Sequence, residues 1–186
     1  MSDDPALREM VLDAIAYVVA ETGARAVSLD EAAAHADLDP DEVRRVFPTL
    51  ESLQAAVVHR LFETFYQDIA TAAGTDDGPG AFAHATLAAT RARFERNDFP
   101  RVAAAVLPSL PIHPEVRAAT VVHRRAMRRS LEQDGMSAGH AALFTVAVDG
   151  LWLASMLELE SLDVAERDRL FDCLETLLPA RGGVSD

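Results

Sequence analysis

Six histidines, one cysteine and seventeen basic residues, every one of them arginine, are the side chains with most chemical reach in this 186-residue chain. The histidines His35, His59, His84, His113, His123 and His140 do not fall at the i, i+4 spacing, or in the His-Glu-x-x-His pattern, that sets two metal ligands on one helical face. Cys173 stands alone, so it can form neither an intrachain disulfide nor a cysteine-rich zinc site. No nucleophile elbow is present, and Gly74, Gly78 and Gly80 follow a helical stretch rather than a strand, which argues against a phosphate loop. The expectation is a non-enzymatic protein with no catalytic residue, no metal and no cofactor.

The arginines are more informative because the net charge of −13 is unevenly spread. Residues 1–66 carry −8, residues 67–90 carry −3, residues 91–129 reverse to +6, and residues 130–186 return to −8. An acidic chain is repelled by nucleic acid and membrane surfaces, so any such partner has to be argued from local features. In the basic stretch, RARFER at 91–96 and HRRAMRR at 123–129 could bind an anion or an acidic partner. The expectation favours a solvated helix face that balances the protein's own acids. Asp149, beside Gly150 and Trp152 on an apolar segment, could bond a neighbouring helix, a partner subunit or a ligand, and the sequence leaves these open.

The elements that must position these residues are helices. Apolar residues recur at helical spacing almost throughout and no window alternates as a strand would, which predicts an all-α fold of about nine helices. The first runs from Pro5 to Thr22 with Gly23 as its stop. Ser28 and Glu31 form a capping box for a short second helix, and Asp39, Pro40 and Glu42 repeat that arrangement for a third. A long helix over 50–73 carries Leu53, Val57, Leu61, Phe65 and Ile69 at four-residue intervals. After the turn-rich GTDDGPG, helices are predicted over about 81–96, 99–107, 114–134, 138–158 and 163–178, ahead of a frayed RGGVSD tail. This divides the chain into a three-helix head (1–49), a connecting helix (50–73) and a body (74–186). No stretch reaches the uninterrupted apolar length of a membrane span and the start is acidic, so no membrane partner and a cytoplasmic location are expected.

The run VSLDEAAAHADLDPDEVRRVFPTLESL, behind a helix ending ETGARA, resembles the helix-turn-helix head of the TetR family of transcriptional regulators. The phrase VDGLWLASMLE at 148–158, with an amphipathic helix after it, resembles the end of that family's regulatory domain, where two helices per subunit form a four-helix dimer bundle. The resemblance implies a ligand-responsive regulator that binds duplex DNA as a homodimer, with 40–46 as recognition helix and Leu38, Val43, Phe47 and Leu53 in the head's core. Ser28, Arg44, Arg45 and Thr49, with Arg25, are then the DNA contacts. It also implies a small-molecule site in the body, with Phe62, Phe65, Tyr66, Phe94, His123, Asp149 and Trp152 as candidate lining.

The departures from the family pattern are themselves informative. Members usually have glycine at the position of Asp37, serine at Asp39, a small residue at Asp41 and a small or hydroxyl residue at Glu42. Tyrosine is usual at Arg44, histidine or tyrosine at Val46, and lysine at Leu50. Three acids therefore open the recognition helix where the duplex backbone would lie, and backbone contact is a dominant source of affinity. This keeps a second reading in view: a TetR-like protein that has lost DNA binding and acts through a protein partner or a small-molecule pocket. For the dimer, Phe144, Val148, Leu151 and Trp152 on one helix and Leu170, Phe171, Leu174, Leu177 and Leu178 on the next exceed what one side of a monomer hides. Phe144, Val148, Leu151, Leu170, Leu174 and Leu178 are the expected interface.

Overall fold

Helix starts in this protein are written by short polar side chains, and the computed structural model shows them at work. It describes residues 4–22, 28–96, 101–106, 110–157, 159 and 162–180. Gly23, Arg25 and the 181–186 tail lie outside the described residues. Among the described residues there are nine α-helices and no strand: α1 Pro5–Thr22, α2 Leu29–Ala36, α3 Pro40–Val46, α4 Leu50–Ala73, α5 Ala81–Arg96, α6 Arg101–Val106, α7 Pro114–Gln133, α8 Ala138–Met156 and α9 Val164–Glu175. The all-α expectation and its order of elements hold.

Asp4 opens α1 by accepting from the backbone N–H groups of Ala6 and Leu7 at 3.2 Å. The Ser28 capping box forms in full: Ser28 Oγ accepts from Glu31 N at 3.2 Å, and Glu31 accepts from Ser28 N at 2.9 Å. The second predicted box does not. Asp39 accepts instead from the N–H of Asp41 at 2.7 Å, while the Glu42 carboxylate turns outward to Arg45 at 3.2 Å. An accessible cation competes successfully for that carboxylate. Two further caps, Thr49 with Ser52 and Asp163 with Glu166, start α4 and α9.

The chain forms two compact units, each discontinuous in sequence. The first takes residues 1–62 and 100–122, the second 63–99 and 123–186, so α4 and α7 each contribute a part to both. The first unit's core joins Val11, Ile15 and Val19 of α1 to Ala32 and Ala33 of α2, Val43 and Phe47 around α3, and Leu53 and Val57 of α4. Val116 and Ala119 of α7 complete it. Leu38 packs half-buried against this cluster, and Val43, Phe47 and Leu53 are buried, as expected for the head. Each such large side chain contributes roughly 1.5–3 kcal/mol by leaving water. The second core gathers Ile69, Leu87, Phe94, Leu131, Phe144, Leu151, Phe171 and Leu174.

By length and composition alone α8 is apolar enough to cross a membrane. Its sides are unequal, however. Phe144, Val148 and Leu151 sink into the second unit's core, and Leu143, Val146 and Leu153 face outward. Asp149 on the same helix is held by Arg124 of α7.

Candidate functional site

In the first unit the α2–turn–α3 segment presents the head's arginines. The turn closes at Asp37, whose φ of 55° lies in the left-handed region that favours glycine. Both arginines of α3 are exposed and both are engaged by neighbouring acids. Arg44 Nη2 reaches Asp30 Oδ1 on α2 at 2.5 Å and its Nη1 lies 3.4 Å from Asp41; Arg45 pairs with Glu42. Ser28 and Thr49 are exposed as well, and their hydroxyls serve as helix caps: Ser28 Oγ also donates to Glu31 at 3.1 Å, and Thr49 Oγ1 accepts from Ser52 N at 3.1 Å. Glu51, in the first turn of α4, has its carboxyl held below the usual range by its backbone hydrogen bond, by Thr49 and by His113, whose Nδ1 is 3.1 Å away. Exposed ion pairs of this kind contribute only about 0–1 kcal/mol, so a phosphate can take either arginine from its acid. What opposes a duplex is the surplus of negative charge rather than the pairs themselves.

The second unit holds a different arrangement. Arg93 of α5, read above as part of a solvated basic face, is 4% exposed and paired with Asp68 of α4. Its guanidinium carbon lies 5.7 Å from the Phe65 ring centroid and 5.6 Å from that of Trp152, within cation–π range of both. Trp152 packs edge-on against Phe65 at 5.9 Å and Phe94 at 6.1 Å, and Phe94 against Phe171 at 5.8 Å. Arg124, Arg125, Arg128 and Arg129 of α7 are exposed, as a solvated face requires. Arg93 is the correction. The signal for it was available: it falls seven residues after Thr86 and three after Thr90, on the buried stripe of α5. Asp68 was missed with it, and Phe171 had been read as part of the dimer's apolar surface.

Of the seven candidate ligand residues, Phe65 and Trp152 flank Arg93, and Phe94 joins them by packing on Trp152. Tyr66 and His123 make a second group, with ring centroids 6.3 Å apart and the Tyr66 hydroxyl donating to the His123 carbonyl at 3.4 Å. Burial pushes the Tyr66 hydroxyl above its ordinary pKa. Phe62 belongs to the first unit, where it packs on that unit's core. Asp149 bonds a neighbouring helix through Arg124; burial raises its carboxyl above the usual range, outweighing the lowering by the guanidinium. Among the described residues no three His, Cys, Asp or Glu side chains converge as metal ligands.

The expected interface residues divide by burial. Phe144, Val148, Leu151 and Leu174 are buried within the second unit's own core, and Leu170 and Leu178 pack half-buried against it. The unit's own packing accounts for the four buried side chains, and Leu170 and Leu178 keep part of their surface outside it. The apolar side of α8 left exposed is Leu143, Val146, Leu153 and, just past its end, Leu157, with Gly139 open ahead of them and Gly150 open between them. Those six positions follow alternating spacings of four and three. The outer side of α9 is polar, with Asp168, Arg169, Asp172, Cys173 and Glu175 exposed.

The family model described as tetracyclin repressor-like, C-terminal domain, matches residues 80–179. None of the curated proteins matches the chain by sequence. Among solved structures, the multidrug binding protein EbrR complexed with imidazole is 21% identical, with a TM-score of 0.70 over 98% of this chain and 100% of its own. A TetR family member from Streptomyces coelicolor A3 is also 21% identical, with a TM-score of 0.71 over 94% and 99% of the two chains. SmeT in complex with triclosan is 19% identical, with a TM-score of 0.66 over 97% and 98%. At these identities the likeness establishes the fold.

Proposed function

Because the chain belongs to the tetracyclin repressor-like family of transcription regulators, we propose that it is a cytoplasmic, ligand-responsive regulator that binds duplex DNA as a homodimer. The observation that carries this reading is the head, where a capped α2, a left-handed turn and a capped α3 leave Arg44 and Arg45 exposed. Arginine is the side chain suited to bidentate contact with guanine in the major groove. Ser28 and Thr49 stand at the starts of α2 and α4, where a hydroxyl and a helix N-terminus together favour a phosphate oxygen. A small molecule taken up by the second unit would bias the protein between DNA-bound and free states; imidazole on EbrR and triclosan on SmeT support this role.

Low-salt fluorescence anisotropy against the flanking intergenic DNA and a scrambled duplex tests the reading. Sequence-selective binding is expected. No binding to any duplex, even where surface electrostatics are strongest, would sink it and leave a family member acting through a protein partner or a pocket. The dimer is proposed to form on the α8 stripe, and its test is separate. Val146→Asp with Leu153→Asp changes exposed positions, so the fold should persist while sedimentation shifts from dimer to monomer. A wild-type monomer at micromolar concentration would refute it.

A further inference from the structure

Within the ligand-responsive reading, on which this inference rests, we propose that the second unit takes a neutral, planar aromatic compound carrying a hydroxyl or N–H donor. The compound is of the phenol type, bonded to the outer oxygen of Asp68 and packed on Trp152 and Phe65. Arg93 Nε and Nη2 both converge on a single oxygen, Asp68 Oδ2. Among the described residues none hydrogen-bonds the other, Oδ1. The Asp68 side chain is 33% exposed whereas that of Arg93 is 5% exposed, so the pair is sealed on the arginine side and open on the acid side. Phe65 and Trp152 lie against the Arg93 guanidinium and, like Tyr66, are only half-buried, so ring surface remains accessible beside the pair.

The charges select the ligand class. An anion would need the Arg93 guanidinium, but Asp68 already occupies its Nε and Nη2 donors and would repel a second negative group. A cation would meet, beside Asp68, the guanidinium that neutralises it. A neutral donor has neither conflict. It gains a hydrogen bond to a charged acceptor, stronger than one between neutral groups. Its ring can also stack against Trp152 or Phe65, since aromatic pairs contribute beyond their buried area. An analogue that lacks the donor would cover this oxygen and leave it without the water it had before, so the site discriminates against it.

Trp152 is the only tryptophan, so tryptophan emission of the full chain, excited beyond the tyrosine absorption, reports on this place alone. The probes are 4-nitrophenol, its methyl ether, 4-nitrobenzoate and ethidium. Saturable quenching by 4-nitrophenol is expected, with the ether at least tenfold weaker, and the bound phenol should keep the absorption of its neutral form. Asp68→Asn should reduce the phenol-to-ether preference. If that variant fails to fold, the phenol-to-ether ratio and the absorption of bound 4-nitrophenol on wild type still decide the matter. Equal binding of phenol and ether, a bound phenolate spectrum, or tighter binding of nitrobenzoate or ethidium would overturn the assigned class while leaving a ligand-responsive regulator intact. No quenching by any of the four would overturn the site itself. The broader reading is then judged by whether the operator complex responds to any compound of a wider library.

Discussion

In the head, Arg44 spans Asp30 and Asp41 in open solvent; in the second unit, Arg93 meets Asp68 with its guanidinium almost wholly out of water. The residue types are the same and the consequences opposite. Water competes with every exposed pair, so the head's acids only lower the local potential and leave its arginines available. Burial turns the Arg93 pair into a commitment, because separating the partners leaves an uncompensated charge in a poorly solvated place. Exchangeable arginines would suit the duplex contact proposed for the head, and a fixed one the ligand site proposed for the second unit.

The largest effect that would sharpen this contrast is an asymmetry within the buried pair. Asp68→Ala strands Arg93 and should cost about 3–5 kcal/mol in urea unfolding, the range for breaking a buried pair. Arg93→Met should cost clearly less, because Asp68 is exposed enough to be rehydrated and methionine fills the space among the rings. Equal small losses from both would show that the pair is no different from those of the head.

An intermediate effect is expected in DNA affinity. Arg45→Ala should weaken operator binding by about 1–3 kcal/mol if it reads a base, or reduce the salt slope by about 0.9 if it touches a phosphate. Replacing Asp41 and Glu42 by Gly and Thr should strengthen binding and steepen the salt dependence, while thermal unfolding shows some loss of stability in the head. Tight, selective binding that ignores substitution of both arginines would mean that the recognition element is elsewhere.

The smallest effects are in pH, and the two units differ in sign. Glu51 in the first unit has a depressed carboxyl, so its contribution is present above the ordinary carboxylate range and lost as pH falls through the lowered value. Asp149 in the second has a raised carboxyl. Between the ordinary range and that raised value the folded protein holds a proton that the unfolded chain releases, so stability declines as pH rises through the window. Denaturant titrations from neutral pH to below the ordinary carboxylate range should therefore show Glu51→Gln flattening the acid-side loss and Asp149→Asn removing the decline on the other side. Like signs for the two would break the comparison.

The parts of the fold legible in the sequence were those decided by neighbours three or four residues apart. The Ser28–Glu31 box, the break after Ala73 and the apolar stripes of α1 and α4 follow from backbone spacing and side-chain period, which travel with the chain. Asp39 and Glu42 show where such reasoning stops, since their spacing permits a box yet Arg45 claims the glutamate. The head's core was read correctly for a second reason. Leu38, Val43, Phe47 and Leu53 occupy the positions that the resemblance implied, and a short helical head offers few ways to bury them.

Tertiary structure alone decided which charges and which apolar faces would meet. Arg93 and Asp68 stand 25 residues apart and Arg124 and Asp149 likewise, distances at which helical periodicity says nothing about pairing. Phe144, Val148 and Leu174 were equally suited to a partner or a core, and only packing assigned them to the second unit's interior, leaving Val146 and Leu153 outside. The amino-acid sequence by itself determined where helices begin, which residues share a stripe and how charge is distributed along the chain. Burial, and with it the difference between an exchangeable arginine and a fixed one, arose when separate stripes packed together, because dielectric environment belongs to the assembled structure and not to the order of residues.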